Sequence, residues 1–195
     1  MKFTIDKRIL TEAVGNLQRA VSTKTSIPAL EGILIRTDVE KIILSAYDLE
    51  IGMQTELPAV ISAPGAIILT ARLFSEIVRK SPADDVTVES DDRNTATITS
   101  GLSCFTIIGM YAAEFPEFPK ITDTDTLRLP ANVLKSMIRQ TLFAIADSNA
   151  KPIHQGSLFK IEDNMLDVVS VDGYRLALRR EAIRFDGNLD FVVPG

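Results

Sequence analysis

The chain has 195 residues, 46% of them apolar, and a formal net charge of -5. That is enough for a core of ordinary size, and no run approaches the roughly 20 apolar residues of a membrane-crossing helix. One cysteine, Cys104, excludes an internal disulfide or thiolate zinc cluster, and with one histidine and no Gly-x-Ser-x-Gly, Walker or dinucleotide signature, catalysis has little to build on.

Residues 3–6 read as a strand ending three positions before the doublet Ile9/Leu10, with Ala13/Val14 four positions later. Doublets spaced this way form one apolar stripe on a helix of 3.6 residues per turn and predict a helix over 7–19. Strand-like stretches follow at 32–36, 42–46 and 50–57, with alternation at Ile33 and Ile35. The pattern then recurs: a strand at 67–70, a helix over 71–80 carrying Leu73/Phe74 and Ile77/Val78, and strands at 85–90, 95–100 and 103–109. A third copy has a strand at 127–130, a helix over 131–141 carrying Val133/Leu134 and Met137/Ile138, and strands at 156–162, 165–171 and 174–180. Turn signals at Asp91-Asp92-Arg93-Asn94, Asp163-Asn164 and Asp172-Gly173 punctuate the runs.

The opening strands of the three copies end 64 and then 60 residues apart, at Asp6, Thr70 and Pro130, and a fourth strand, 191–194, ends 64 residues after Pro130. Another helix is expected to begin beyond Gly195, so the chain reads as a truncated copy of a longer repeat protein. A β-α-β-β-β unit repeated in this way predicts an α+β fold with helices on one face of antiparallel sheets. Two units make a domain of about 120 residues, a normal size for one core. We therefore expect a first domain over 1–121, half of a second over 122–195, and a proline-rich linker within 115–126. Because residues 1–6 already read as strand, no signal peptide is expected, and the expected compartment is cytoplasmic.

The three helices carry Lys7, Arg8, Arg19, Arg72, Arg79, Lys80, Lys135 and Arg139 against only Glu12 and Glu76, in a chain that is acidic overall. Lysine and arginine fill solvated helix faces simply because they favour helices, but glutamate is as good a helix former and is scarce there. The segregation points to a helix-lined surface built to meet a polyanion. His154 is the one candidate for a base near neutral pH, and a surface or pocket-edge position is its plainer role. Asp84/Asp85 and Asp91/Asp92 read as solvated turns, so no metal or cofactor is expected.

These features, together with Met1-Lys2-Phe3-Thr4, Ile27-Pro28-Ala29-Leu30, Tyr47-Asp48-Leu49-Glu50, Ser100-Gly101 with Phe105, Ala112-Ala113-Glu114-Phe115-Pro116 and Val171-Asp172-Gly173-Tyr174-Arg175-Leu176-Ala177-Leu178, resemble the bacterial sliding clamp, the beta subunit of DNA polymerase III. The resemblance covers the whole chain and corresponds to the first of the family's three domains plus about half of the second. It implies the DNA clamp fold and a non-catalytic processivity factor, two copies of which close around double-stranded DNA.

By position it implies DNA contacts at Lys24, Arg72 and Arg79, with Lys135 and Arg139 added by the charge argument. It implies a groove for linear peptide motifs at His154, Val171, Gly173, Tyr174, Arg175 and Leu176, and homodimer contacts at Phe105 and Ile107. The implied partners are the DNA polymerase III catalytic subunit, the clamp loader, and other polymerases and repair proteins, with no membrane. Lys24 stands where the family often has arginine, His154 where it usually has an apolar residue, and Val171 where threonine is common. Lacking a third domain, the chain as written cannot close a ring, and a monomer or a non-native association is expected. The competing readings are a peptide-binding scaffold with no DNA role and a small-molecule enzyme using His154.

Overall fold

The structure, a computed structural model, describes residues 1–22, 25–118, 127–147 and 151–195. Contacts divide the chain into two compact units, Met1–Lys120 and Ile121–Gly195.

The first unit runs β1 (Lys2–Asp6), α1 (Lys7–Leu17), β2 (Gly32–Thr37), β3 (Lys41–Tyr47), β4 (Gly52–Pro58), β5 (Val60–Ala63), β6 (Ala66–Thr70), α2 (Ala71–Lys80), β7 (Asp85–Ser90), β8 (Thr95–Ser100) and β9 (Ser103–Ile108). Asp6 starts α1 by accepting the amides of Arg8 and Ile9 at 2.8 and 3.1 Å, which satisfies two of the free donors at a helix start. The strands form two antiparallel sheets, ordered β5-β1-β7-β8-β9 and β4-β3-β2-β6. Strands cross between the repeats: β1 lies beside β7 of the second copy, and β6, which opens the second copy, closes the sheet of the first. The copies are thereby interlocked and cannot separate without breaking both sheets.

The apolar doublets bury one face of each helix, although Leu73 and Ile138, one member each of two doublets, stay exposed at 45% and 38%. Leu10, Ala13, Val14 and Leu17 of α1 and Ala71, Phe74, Ile77 and Val78 of α2 are buried in one core with the inner faces of both sheets. The two helices pack against each other.

The second unit contains α3 (Ala131–Thr141), β10 (Gly156–Glu162), β11 (Met165–Val171), β12 (Leu176–Ala182) and β13 (Leu189–Pro194), with sheet order β12-β11-β10-β13. It repeats the first unit at an offset of 124 residues: α1 begins at 7 and α3 at 131, β2 at 32 and β10 at 156, β4 at 52 and β12 at 176. Pairing repeats as well, since Gly32 lies opposite Thr70 and Gly156 opposite Pro194. The segment at 191–194 is therefore the counterpart of β6.

Three expectations need correction. Residues 127–130 are not a strand; their counterpart β1 is held between β5 and β7, and the second unit contains no ladder of that kind among its described residues. The strand β5 lies between Pro58 and Pro64, which mask it in the sequence; Pro58 ends β4, itself a sheet edge where proline is tolerated, and Pro64 falls just after β5. The strands expected at 50–57 and 174–180 begin two residues late, because Asp48 and Asp172 capture the intervening amides in turns.

Candidate functional site

Each helix has one side committed to a core, and the charged residues fall on the other. On α2, Arg72, Arg79 and Lys80 are exposed, and the Arg72 side chain keeps 89% of its accessible surface. Among the described residues its ionic partner is Glu76, one turn along at 3.8 Å, a surface pair too weak to neutralise it. On α3, Lys135 and Arg139 project one turn apart and line a shallow depression with Asn132, Ser136 and Gln140. Among the described residues, no ion pair engages Arg79, Lys80, Lys135 or Arg139.

Arg8 and Arg19 are also exposed, but Lys7 is not available in the same way. Its ammonium donates to the Ser81 carbonyl at 2.6 Å, just past the C-terminus of α2, where a cation is favoured by the helix dipole. Lys7 therefore joins two helices instead of offering a free charge. Lys24 lies outside the described residues.

A second cluster forms at the turn between β11 and β12. Asp172 accepts the amides of Tyr174 and Arg175 at 2.9 and 3.0 Å and the Arg175 side-chain Nε at 2.8 Å. The Tyr174 amide first, then that of Arg175 and its guanidinium, hold the Asp172 carboxyl below the usual carboxylate range. Gly173, at φ 94°, makes the reversal in a region that favours glycine.

The result is a built edge. Tyr174 is fully exposed, Leu176 is 65% exposed, and the Arg175 guanidinium stands 5.7 Å from the centre of the Phe143 ring. Phe143, 59% exposed, belongs to the 3-10 turn Leu142–Ala144 that directly follows α3 and was not anticipated from sequence, because nothing local ties it to a residue 32 positions away. His154 sits half-buried in the 3-10 turn Pro152–Gln155, and its carbonyl accepts the Ala146 amide, joining that turn to the end of α3. Val171, at the end of β11, is half-buried beside the turn. An aromatic, a fixed guanidinium and exposed aliphatic groups on one edge suit a short amphipathic peptide. They provide no nucleophile with a base.

The third location is β9, the edge of its sheet. Here the two named residues part company: Ile107 is 9% exposed and belongs to the unit's core, whereas Phe105 is 38% exposed. The outward apolar group is Ile108, at 82%, on the opposite parity, with Cys104 and Thr106 also outward. The open features of this strand are thus its backbone edge, Phe105 and Ile108. Among the described residues no group of histidine, cysteine and carboxylate side chains could hold a metal, and no helix is long and apolar enough to cross a membrane.

Against known proteins, residues 1–119 match the family described as DNA polymerase III beta subunit, N-terminal domain, and residues 128–195 match its central domain. The chain is 35% identical over 207 aligned residues to a beta sliding clamp of Halalkalibacterium halodurans, matching 100% of this chain and 54% of that protein. It matches a crystal structure of a DNA polymerase sliding clamp from Bacillus subtilis with a TM-score of 0.95 at 36% identity, over 100% of this chain and 54% of the other. A second solved structure, a putative DNA polymerase III beta subunit from Eubacterium rectale, matches with a TM-score of 0.93 at 38% identity, over 100% of this chain and 53% of the other. The chain spans about half the length of the curated relatives it matches.

Proposed function

The chain belongs to the DNA polymerase III beta subunit family, and on that premise we propose that it is part of a sliding clamp. In this reading the protein is a non-enzymatic subunit that encircles duplex DNA without reading its sequence and tethers the replicative polymerase. The observation that carries the proposal is the set of exposed, largely unpaired cations on the outward sides of the helices: Arg72, Arg79, Lys135 and Arg139, with Lys24 added by family position.

Flexible ammonium and guanidinium groups meet phosphates as charges, and phosphate contacts carry no base information. Such a surface holds duplex DNA in place laterally while leaving neighbouring registers equal in energy, as sliding requires. The acidic remainder of the chain discourages adsorption of DNA elsewhere.

The edge formed by Gly173, Tyr174, Arg175 and Leu176, with His154 and Val171, is the proposed groove for linear motifs of the polymerase, the clamp loader, and other polymerases and repair proteins. The edge strand β9, with Phe105, is the proposed homodimer seam, formed by strand addition in the full-length protein. The domain division at about residue 121 is part of the same proposal.

The decisive experiment replaces Arg72, Arg79, Lys135 and Arg139 with glutamate in the full-length protein and follows retention on nicked circular DNA. Reversal of four charges is expected to shorten retention by roughly tenfold or more and to flatten its salt dependence, by about 0.9 in log-log slope for each phosphate that is no longer neutralised. Retention equal to the parent at every salt concentration would leave the peptide-binding scaffold as the better reading.

A further inference from the structure

The two units build the same turn with different side chains around it. In the first, Asp48 accepts the amides of Glu50 and Ile51 at 2.9 and 2.6 Å; in the second, Asp172 accepts those of Tyr174 and Arg175 at 2.9 and 3.0 Å. The 3-10 turns Gln18–Ala20 and Leu142–Ala144 also correspond, at the same offset of 124 residues. Arg175 therefore occupies the place of Ile51, and Phe143 the place of Arg19. A turn that closes around Ile51 needs no guanidinium, so building the turn does not explain the arginine.

The Arg175 head group is fixed from two sides. Its Nε donates to Asp172 Oδ2 at 2.8 Å, and its guanidinium carbon stands 5.7 Å from the centre of the Phe143 ring, which arrives from a different element. The Phe143 turn is itself anchored, since Ala144 is fully buried and the Ala146 amide donates to the His154 carbonyl at 2.9 Å. Arg175 still keeps 55% of its side-chain surface. An arginine this exposed ordinarily samples many rotamers, and ordering it on binding weakens affinity. A guanidinium tied at Nε and resting on a ring has lost much of that freedom before a partner arrives.

We infer that Phe143 is a positioning residue of the peptide edge: it holds Arg175 in the orientation that a bound motif meets, and raises affinity through Arg175 instead of through a contact of its own. This rests on reading Tyr174, Arg175 and Leu176 as part of a groove for linear motifs. The aromatic face does the positioning. Tyrosine therefore serves in its place, and leucine, apolar but without a ring, does not.

The test measures binding of the DNA polymerase III catalytic subunit to the full-length protein. Arg175→Ile, which installs the residue that the first unit's turn already accommodates, is expected to weaken binding about tenfold or more. Phe143→Leu is expected to weaken it about two- to fivefold, and Phe143→Tyr to restore it. In the Arg175→Ile background, Phe143→Leu is expected to change nothing further. The Arg175 Nε–H order parameter from NMR relaxation should fall in Phe143→Leu while the unfolding midpoint stays in place, since the replaced ring is 59% exposed. Binding unchanged by Arg175→Ile would overturn the groove reading and this inference with it. Binding lost with Arg175→Ile but unchanged with Phe143→Leu would overturn the inference alone. So would an equal loss from Phe143→Leu in both backgrounds, which would make Phe143 a direct contact.

Discussion

Two equivalent turns place different residues at the same strained position: Leu49 at φ 79° and Gly173 at φ 94°. Glycine accepts this region freely, while a side chain there costs roughly 1–2 kcal/mol. Nothing lies within 4 Å of a Cβ at Gly173, so Gly173→Ala carries the backbone cost alone. Its expected loss is about 1 kcal/mol in chemical denaturation of the second unit. Leu49→Gly should change stability little, because relief of strain is offset by the extra freedom of the unfolded chain. The same turn carries a pH signature. The Asp172 carboxyl titrates low because two amides and a guanidinium favour its charged form. A depressed carboxylate contributes stability that is present above its unfolded value of about 3.9 and is lost as pH falls through the folded value. The Tyr174 and Arg175 amide resonances should therefore stay native through the ordinary aspartate range and move only below it. A midpoint at or above that range would contradict the turn's hydrogen bonding.

Between β10 and β11 the Ser157 and Ser170 hydroxyls share a buried 2.7 Å hydrogen bond, where the equivalent positions of the first unit, Ile33 and Ala46, are apolar and fully buried. Removing one partner strands the other without water. Ser157→Ala and Ser170→Ala should each cost about 1–2 kcal/mol, and the double variant clearly less than their sum, in a thermodynamic cycle measured by denaturant. Strict additivity would mean that the pair is not coupled. Elements of this kind were legible in the sequence wherever periodicity is local. The helix doublets of α1 and α2 announced buried faces, and β7, β8, β10 and β11 carry the predicted limits. What was illegible depends on partners far along the chain. Leu127 to Pro130 have the composition of β1 without its neighbouring strands, and Phe143 gains meaning only when Arg175 arrives over its ring. At the sites, charge on the helices could be read directly. The inward turn of Ile107 could not, because the parity of an edge strand is set by the sheet it joins.

Across the whole chain, the two units differ sharply in how much apolar surface they remove from water. Among the described residues the first unit's main core gathers 24 buried side chains from two helices and two sheets, while the second gathers five beneath a single helix. Every residue of β13 is exposed, with Phe191 at 43% and stacked on Phe159 at 5.5 Å. Hydrophobic stabilisation scales with buried apolar area, so the second unit should open well before the first. Tyr47 and Tyr174 each belong to one unit and serve as separate probes. In the 195-residue chain carrying fluorinated tyrosine, the Tyr174 signal should reach its unfolded position at lower denaturant than that of Tyr47, with β10 to β13 amides exchanging faster than those of β1 to β3. A single coincident transition would mean that the two units share stability that their separate cores do not account for. In a protein of the curated relatives' full length, of which this chain spans about half, the Tyr174 transition should move toward that of Tyr47, and failure to move would leave the exposed face of β13 without a stabilising partner.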